Sequence, residues 1–494
     1  MASFDLTAWR EVDRKGALTL DPQPLVVRPP EERVCDFDEA VLGFTEESVI
    51  LEAQRCLQCP TPQGCVEACP VHNNIPEILW LVAHGDFLGA AWKYRETSNL
   101  PEICGRVCPH PCMSGDVVGR RKAPINLEKI EQFVMDYAIK YYGHIPTPEP
   151  APPTGFSVGI VGSGPAGLSA AEQLALKGHK VVVYERMPRP GGLLRYGIPN
   201  FKLDKRLVVD RKVHQLEELG VEFVCNVTVG KDISVDELME RHDALFIAVG
   251  TWVEAPLKVP GVDLKGIYTT LDFLMRANVP LEDLPPEKRS RPTVGKRVAI
   301  IGGGDSATDC ARTARRLGAE EVTIVYRRSA AEMPGSWEER ERAIEEGVTI
   351  EYLTAPVRFI GDENGHVKAM ECVRMELGEP DESGRRRPIP IEGSNFTLEV
   401  DNVVLAIGFW PDPLIGETTP DIKTHKWGLI VVDPETGQTS REGIFAGGDA
   451  VRGPDLVVDA MADGRKAAEH IHRYLMEKRA ARRAQVAEPA MAVA

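Results

Sequence analysis

The chain has no run of eighteen apolar residues, so a membrane-spanning helix is excluded. Met1–Arg10 holds no apolar core behind basic residues, and no secretory signal is expected. Positive charge is scarce. Lys and Arg number 58 against 74 Asp and Glu, a net charge of −16, which argues against nucleic acid and serves solubility. A second Cys-x2-Cys pair is missing, and a zinc ribbon wants two. Beyond residue 156 there is no Cys-x2-Cys or Cys-x4-Cys at all, which speaks against dithiol exchange. Cys225, Cys310 and Cys372 stand alone there and read as small core residues. Eleven cysteines without a signal peptide point to the reducing cytoplasm and to metal ligation rather than cross-links.

What is present is concentrated at the front. Seven cysteines read Cys56-x2-Cys59-x5-Cys65-x3-Cys69-Pro70, then Cys104-x3-Cys108-Pro109-x2-Cys112. Short cysteine steps closed by Cys-Pro suit loops wrapped around iron–sulfur cubanes, in which the last cysteine of a run ligates the other of two clusters. A zinc site is the alternative.

At 494 residues the chain calls for about three domains. Residues 1–143 carry the clustered cysteines and read as helical, with apolar residues at helical steps over 76–83 and 125–134. Prolines from 144 to 154 predict a semi-rigid extended linker. Strands and helices then alternate. Strand 157–161, helix 165–176 and strand 180–184 are repeated about 140 residues later as strand 297–301, helix 306–317 and strand 321–326. Two such units predict an α/β protein with two parallel-sheet nucleotide domains behind the helical one. The expected bounds are 155–255 with 411–478 for the first, 256–410 for the second, and a disordered tail over 479–494.

The first unit carries Gly162-Ser-Gly164-Pro-Ala-Gly167 between strand and helix. Gly162 permits the tight turn, Gly164 lets a pyrophosphate approach the helix end, and Gly167 lets helix and strand pack. Glu185 ends the next strand, where a carboxylate accepts from ribose hydroxyls. The second unit has Gly302-Gly-Gly304-Asp305-Ser306-Ala307, and its strand ends in Arg327-Arg328 where the first has Glu185-Arg186. Guanidinium pairs with a 2′-phosphate that a carboxylate would repel, so the second site suits NADPH, with NADH the alternative. Gly448 and Asp449, at the end of a late strand before a helix, are placed to receive a flavin's ribityl chain.

These pieces resemble the small subunit of glutamate synthase and the proteins built on that module, among them the N-terminal half of dihydropyrimidine dehydrogenase and the large subunit of the bifurcating ferredoxin:NADP oxidoreductase. The carrying motifs are Arg55–Cys59, Cys69–Pro76, Cys104–Pro109, Gly191–Pro199, Tyr326–Arg328 with Met333–Gly335, and Ala446–Ala450. The resemblance implies FAD in the first nucleotide site, NAD(P)H in the second and two 4Fe-4S clusters in front. It implies that Gly192, Leu193 and Arg195 run beside the isoalloxazine. It assigns Cys56, Cys59 and Cys65 to one cluster, and Cys69, Cys108 and Cys112 to the other, with Glu131 at a place for a non-cysteine ligand.

Where relatives carry a further cysteine the chain has Asp116, an oxygen donor that is expected to complete the first cluster, with Cys104 or Cys35 as substitutes. No acid–base residue stands out, because hydride and electron transfer belong to the cofactors. The cluster and nucleotide domains occupy the whole chain, so electrons are expected to pass to or from a large catalytic subunit. Glutamate synthase is the first expectation; a 2-oxoacid or aldehyde oxidoreductase is the alternative.

Overall fold

The computed structural model describes residues 12–61, 63–382 and 384–491. The Met1–Arg10 stretch and residues 492–494 of the expected tail lie outside them. The front domain is built on helices α1 (Glu46–Ala53), α2 (Ile75–Ala83), α3 (Phe87–Thr97), α4 (Pro101–Val107) and α5 (Leu127–Tyr142). Thr45 caps α1 in a capping box, and Asn126 and Gly143 bracket α5, the glycine in the left-handed conformation. The thiol loops run between these helices.

The first nucleotide sheet is formed by β1 (Ser157–Val161), β2 (Lys180–Glu185), β3 (Glu222–Cys225), β4 (Ala244–Ile247) and the late strand Ile444–Ala446. In space the late strand is followed by β4, β1, β2 and β3, all parallel. The order reverses between β1 and β4, and ligands bind at the carboxyl ends of strands at such a switch point. Helix α6 (Pro165–Leu176) follows β1.

The second sheet uses β5 (Ile267–Thr269), β6 (Arg297–Ile301), β7 (Glu321–Val325), β8 (Val348–Glu351) and the parallel strand Asn402–Leu405, with α7 (Asp305–Arg316) after β6 and α8 (Trp337–Glu345) before β8. The chain crosses between the two domains at Val253–Glu254 and Phe409–Trp410, which pair antiparallel.

The expected spacer is not a spacer. Residues 144–154 have no regular structure, but Ile145 is buried, Pro146 O accepts from Arg95 Nε at 2.7 Å and Ala151 N donates to Leu176 O at 2.8 Å. The proline-rich segment is pinned because the domains beside it share one apolar core, running from Val49 through Ile130 to Leu174 and Leu475. Buried Glu172 on α6 sits at the seam, accepting from Lys212 Nζ at 2.9 Å and Asn99 Nδ2 at 2.7 Å and pairing with Arg95. Helix α9 (Val457–Met491) closes the first nucleotide domain and continues over most of the segment expected as a tail. No helix among the described residues is long and apolar enough to cross a membrane.

Candidate functional site: a flavin cleft beside two thiol cavities

A cleft of about 1050 Å³ opens at the β1/β4 switch point. Gly162, Gly164, Glu185, Gly192, Leu193, Gly448 and Asp449 all line it. A Cβ on Gly164 would meet nothing within 4 Å, so the backbone faces open space where a pyrophosphate would lie. Gly167 sits outside the lining, and a Cβ there would come within 2.1 Å of Gly162 O, consistent with its packing role.

Ser163 organises the floor: its N donates to Glu185 Oε2 at 3.1 Å, and its hydroxyl accepts from Gly191 N at 3.0 Å. Glu185 Oε1 accepts from Met187 N at 2.8 Å, which fixes the carboxylate while leaving lone pairs toward the cleft. Burial pushes the Asp449 carboxyl up to about 7, against the Asp455 backbone N–H and a long 3.4 Å bond from the Thr251 hydroxyl. An added hydroxyl donor would relieve it. Arg195 does not join these residues. It is buried away from the lining, donating from Nε to Pro190 O at 2.7 Å and pairing with Asp210. Arg186 lines the cleft instead, its guanidinium 4.5 Å from the Trp252 ring.

Two smaller cavities divide the front thiols. One, about 390 Å³, is lined by Cys56, Cys59, Cys65 and Asp116. The other, about 450 Å³, is lined by Cys69, Cys104, Cys108, Cys112 and Glu131. Thus Cys104 stands with the second set rather than as a substitute in the first, while Cys35 is exposed and donates to Glu31 O. Among the described residues no three His, Cys, Asp or Glu converge tightly enough for a single ion. A cubane holds its thiolates around a cage rather than at one ion, and each cavity has thiols on several sides.

The loops are shaped for anions. Of five non-glycine residues with positive φ among the described residues, three are here: Gln58 at +47°, His72 at +52° and His110 at +47°. This turn of the chain aims backbone N–H groups of Gln58, His72 and His110 at Cys56, Cys69 and Cys108. Burial still dominates, pushing the Cys56 thiol to about 12 and Cys65 to about 11. Metal-free, these thiols stay protonated at neutral pH, and iron would have to displace the protons.

Asp116 Oδ1 accepts from Val118 N at 3.0 Å and Oδ2 from Ile125 N at 2.8 Å, so the carboxylate closes the 116–125 loop while it faces the thiols. Glu131 is buried, its Oε1 without a hydrogen-bond partner among the described residues, and burial, then the nearby Glu102 and Glu128, hold its carboxyl well above the usual range. A buried carboxylate oxygen without a donor wants a cation or a proton.

The three spaces share walls. Leu456, Val457 and Ala460 at the start of α9 line the flavin cleft, while Val458 and Met461 on the same turns line the four-thiol cavity. Ile75 and Leu127 line both thiol cavities. The order is cleft, four-thiol cavity, three-thiol cavity.

At the second nucleotide site Asp305 Oδ1 accepts from Ser336 N at 2.8 Å, tying the Met333–Gly335 loop to the start of α7, where Ser306 and Ala307 form the first turn. A Cβ on Gly304 would meet nothing within 4 Å, whereas one on Gly302 would lie 2.0 Å from Ala406 O. The arginine pair splits. Arg328 is buried, bonded to Asp381 Oδ2 at 2.5 Å and Arg386 O at 2.8 Å on the hairpin of strands Val367–Pro380 and Arg386–Pro390. Arg327 is exposed, with no side-chain hydrogen bond or ion pair among the described residues.

Residues 156–464 match the pyridine nucleotide-disulphide oxidoreductase family, and residues 33–142 match the 4Fe-4S domain II of dihydropyrimidine dehydrogenase. The glutamate synthase [NADPH] small chain of Azospirillum brasilense is 43% identical over 91% of this chain and 94% of its own length. The chain belongs to the glutamate synthase small-chain family. The putative oxidoreductase AegA of Escherichia coli is 42% identical over 92% of this chain and 69% of its own. Among solved structures, Mycobacterium tuberculosis FprA in complex with NADPH superposes with a TM-score of 0.55 at 23% identity, covering 68% of this chain and 89% of that one, a likeness of fold.

The chain is therefore an iron–sulfur flavoprotein oxidoreductase whose cofactors are FAD, NADPH and 4Fe-4S clusters, and the cleft and cavities described fit them. Sequence reasoning missed Ser163, Arg186 and Trp252. The first two lie inside or beside the motif and could have been found there; Trp252 carried no signal, since the domain crossing brings it to the cleft.

Proposed function

We propose that this chain is the NADPH-oxidising small subunit of a glutamate synthase, delivering electrons to a large catalytic subunit. The observation that carries this is the match to the Azospirillum small chain over nearly the whole of both sequences. When bound, the flavin accepts hydride from NADPH and the cubanes carry its electrons singly.

The protein's part is placement. Glu185 and Asp449 receive the ribose and ribityl hydroxyls. The start of α9 separates flavin from the four-thiol cavity with apolar side chains that exclude water. Cys69, Cys108, Cys112 and Glu131 would hold the inner cluster; Cys56, Cys59, Cys65 and Asp116 would hold the outer one, nearer the surface, from which electrons would leave. Gly302, Gly304, Asp305, Ser306 and Ala307 form the nicotinamide-nucleotide turn. Arg327 takes the 2′-phosphate, and Arg328 fixes the hairpin beside it. Arg327→Ala should raise KM for NADPH about 10–100-fold, with little change for NADH, in steady-state dye reduction.

Eleven free cysteines suit the reducing cytoplasm. The alternative, service to a 2-oxoacid or aldehyde oxidoreductase, is favoured by Asp116, which departs from the family's cysteine, and by the longer AegA, built on the same module. Purification with the adhering subunit decides. Glutamine-dependent glutamate formation from NADPH supports the first reading; a large subunit that reduces NADP+ with a 2-oxoacid or an aldehyde establishes the second.

A further inference from the structure

The mouth of the three-thiol cavity carries exposed cations on a chain of negative net charge. The loop that Asp116 closes through Val118 N and Ile125 N begins and ends on the cavity wall. Its tip projects Arg120 and Arg121, both exposed, and neither side chain has a hydrogen bond or ion pair among the described residues. Val117, 37% exposed, lines the cavity at the foot of the same loop. Across the mouth, Arg14 Nε donates to Leu57 O at 2.9 Å and Nη2 to Gln58 O at 3.2 Å, placing a cation on the loop between Cys56 and Cys59; Lys15 beside it is exposed.

The acids nearby offset these cations only in part. Asp21 pairs with Lys122 at 2.8 Å, and Asp13 caps the Arg14–Ala17 turn. Among the described residues Glu67, exposed on the neighbouring turn, is in no ion pair, and Asp13 keeps its charge while it caps. Four cations thus ring an apolar spot on a chain whose net charge is −16. A charge pattern of this kind does little for folding. It steers a diffusing partner, and it matters most in small, transient electron-transfer interfaces.

We propose that this lip is the docking surface for a redox protein with an acidic face, and that Arg120 and Arg121 steer it. The inference rests on the reading that electrons leave at the three-thiol cavity. NADPH supplies two electrons and becomes NADP+ with release of a proton; two one-electron acceptors take them.

The test uses the full holoprotein with two protein acceptors of opposite charge, an acidic two-cluster ferredoxin and basic cytochrome c. For the wild type, the second-order rate with ferredoxin should fall as salt is raised. In R120E/R121E that rate should drop about 10-fold or more at low salt, its salt dependence should flatten or reverse, and cytochrome c should gain. R120Q/R121Q should fall between. Reduction of the flavin by NADPH in a single turnover should be unchanged in all three.

Cys56→Ser separates the two readings. If ferredoxin is still reduced at the wild-type rate after loss of the outer iron, the exit reading fails. If Cys56→Ser stops ferredoxin reduction while both arginine variants match wild type at every salt concentration, the docking proposal fails and the exit reading stands. Tight RNA binding lost in R120E/R121E, with ferredoxin rates unaltered, would likewise overturn it.

Discussion

The two thiol cavities are built from one stretch of chain and differ in almost every physical respect. The inner one is enclosed by α2, α4, α5 and α9, with Cys69, Cys104 and Cys112 buried and an unpartnered carboxylate oxygen on Glu131. The outer one has three half-buried cysteines and an Asp116 already committed to two backbone amides. Position explains the contrast. A site between the flavin and the rest of the relay has to exclude water, whereas a site at the surface has to be reachable. Burial disfavours thiolate most at the inner Cys104, Cys108 and Cys112, so much of that site's stability depends on the metal itself.

The largest expected effect therefore comes from the inner site. Cys108→Ser should remove about half of the iron and acid-labile sulfide, since one of two cubanes is lost. NADPH should still bleach the flavin, but ferredoxin reduction should stop, because the outer cavity shares no wall with the cleft. Iron analysis and stopped-flow absorbance check this together. Retention of ferredoxin reduction would show that the inner cavity is not between flavin and exit.

Asp116 tests the other half of the contrast, with two separable readouts. Asp116→Ala should lower outer-site iron and also destabilise the loop, by roughly 1–3 kcal/mol for amides left without acceptors. Asp116→Cys should restore the iron and its EPR signal without restoring the loop's stability. If Asp116→Ala keeps full iron, the carboxylate is a loop clasp alone.

A smaller effect decides the fourth inner ligand, for which Glu131 and Cys104 both line the cavity. With Glu131 as ligand, Glu131→Ala should cost inner-site iron and alter its EPR signal, while Cys104→Ala leaves both unchanged. The reverse pattern assigns Cys104.

Much of this was legible in the residues. The expected strand 157–161, helix 165–176 and strand 297–301 coincide with the observed elements, because glycine-rich turns between buried β-branched runs leave little freedom. Glu185, at the end of the first unit's second strand, lines the cleft from the position its motif indicated. What stayed hidden depended on distant partners. Arg328 is claimed by Asp381, 53 residues on, and Arg195 by Asp210, 15 residues on, so both appear as binding residues until the fold occupies them. The linker's composition promised a spacer, yet the polar seam at Glu172 and the shared core hold it down. Cys69, Cys108 and Cys112 share a cavity as the family resemblance implied, and only the presence of Cys104 beside them follows from helix packing rather than from spacing.

The finest probe is the partition. Ile75 is buried and lines both cavities, so its side chain separates whatever the two sets of thiols hold. Ile75→Val removes one methyl group and should cost about 0.5–1.5 kcal/mol of stability by leaving a small void. Iron content should not change, since no ligand moves. Because the thinned wall faces both ways, the EPR signals of both clusters should shift slightly and together. Leu168→Ala on α6, outside both linings, gives the comparison: a larger stability loss with neither signal perturbed. A shift in one cluster alone after Ile75→Val would mean that the cavities are not neighbours across a common wall.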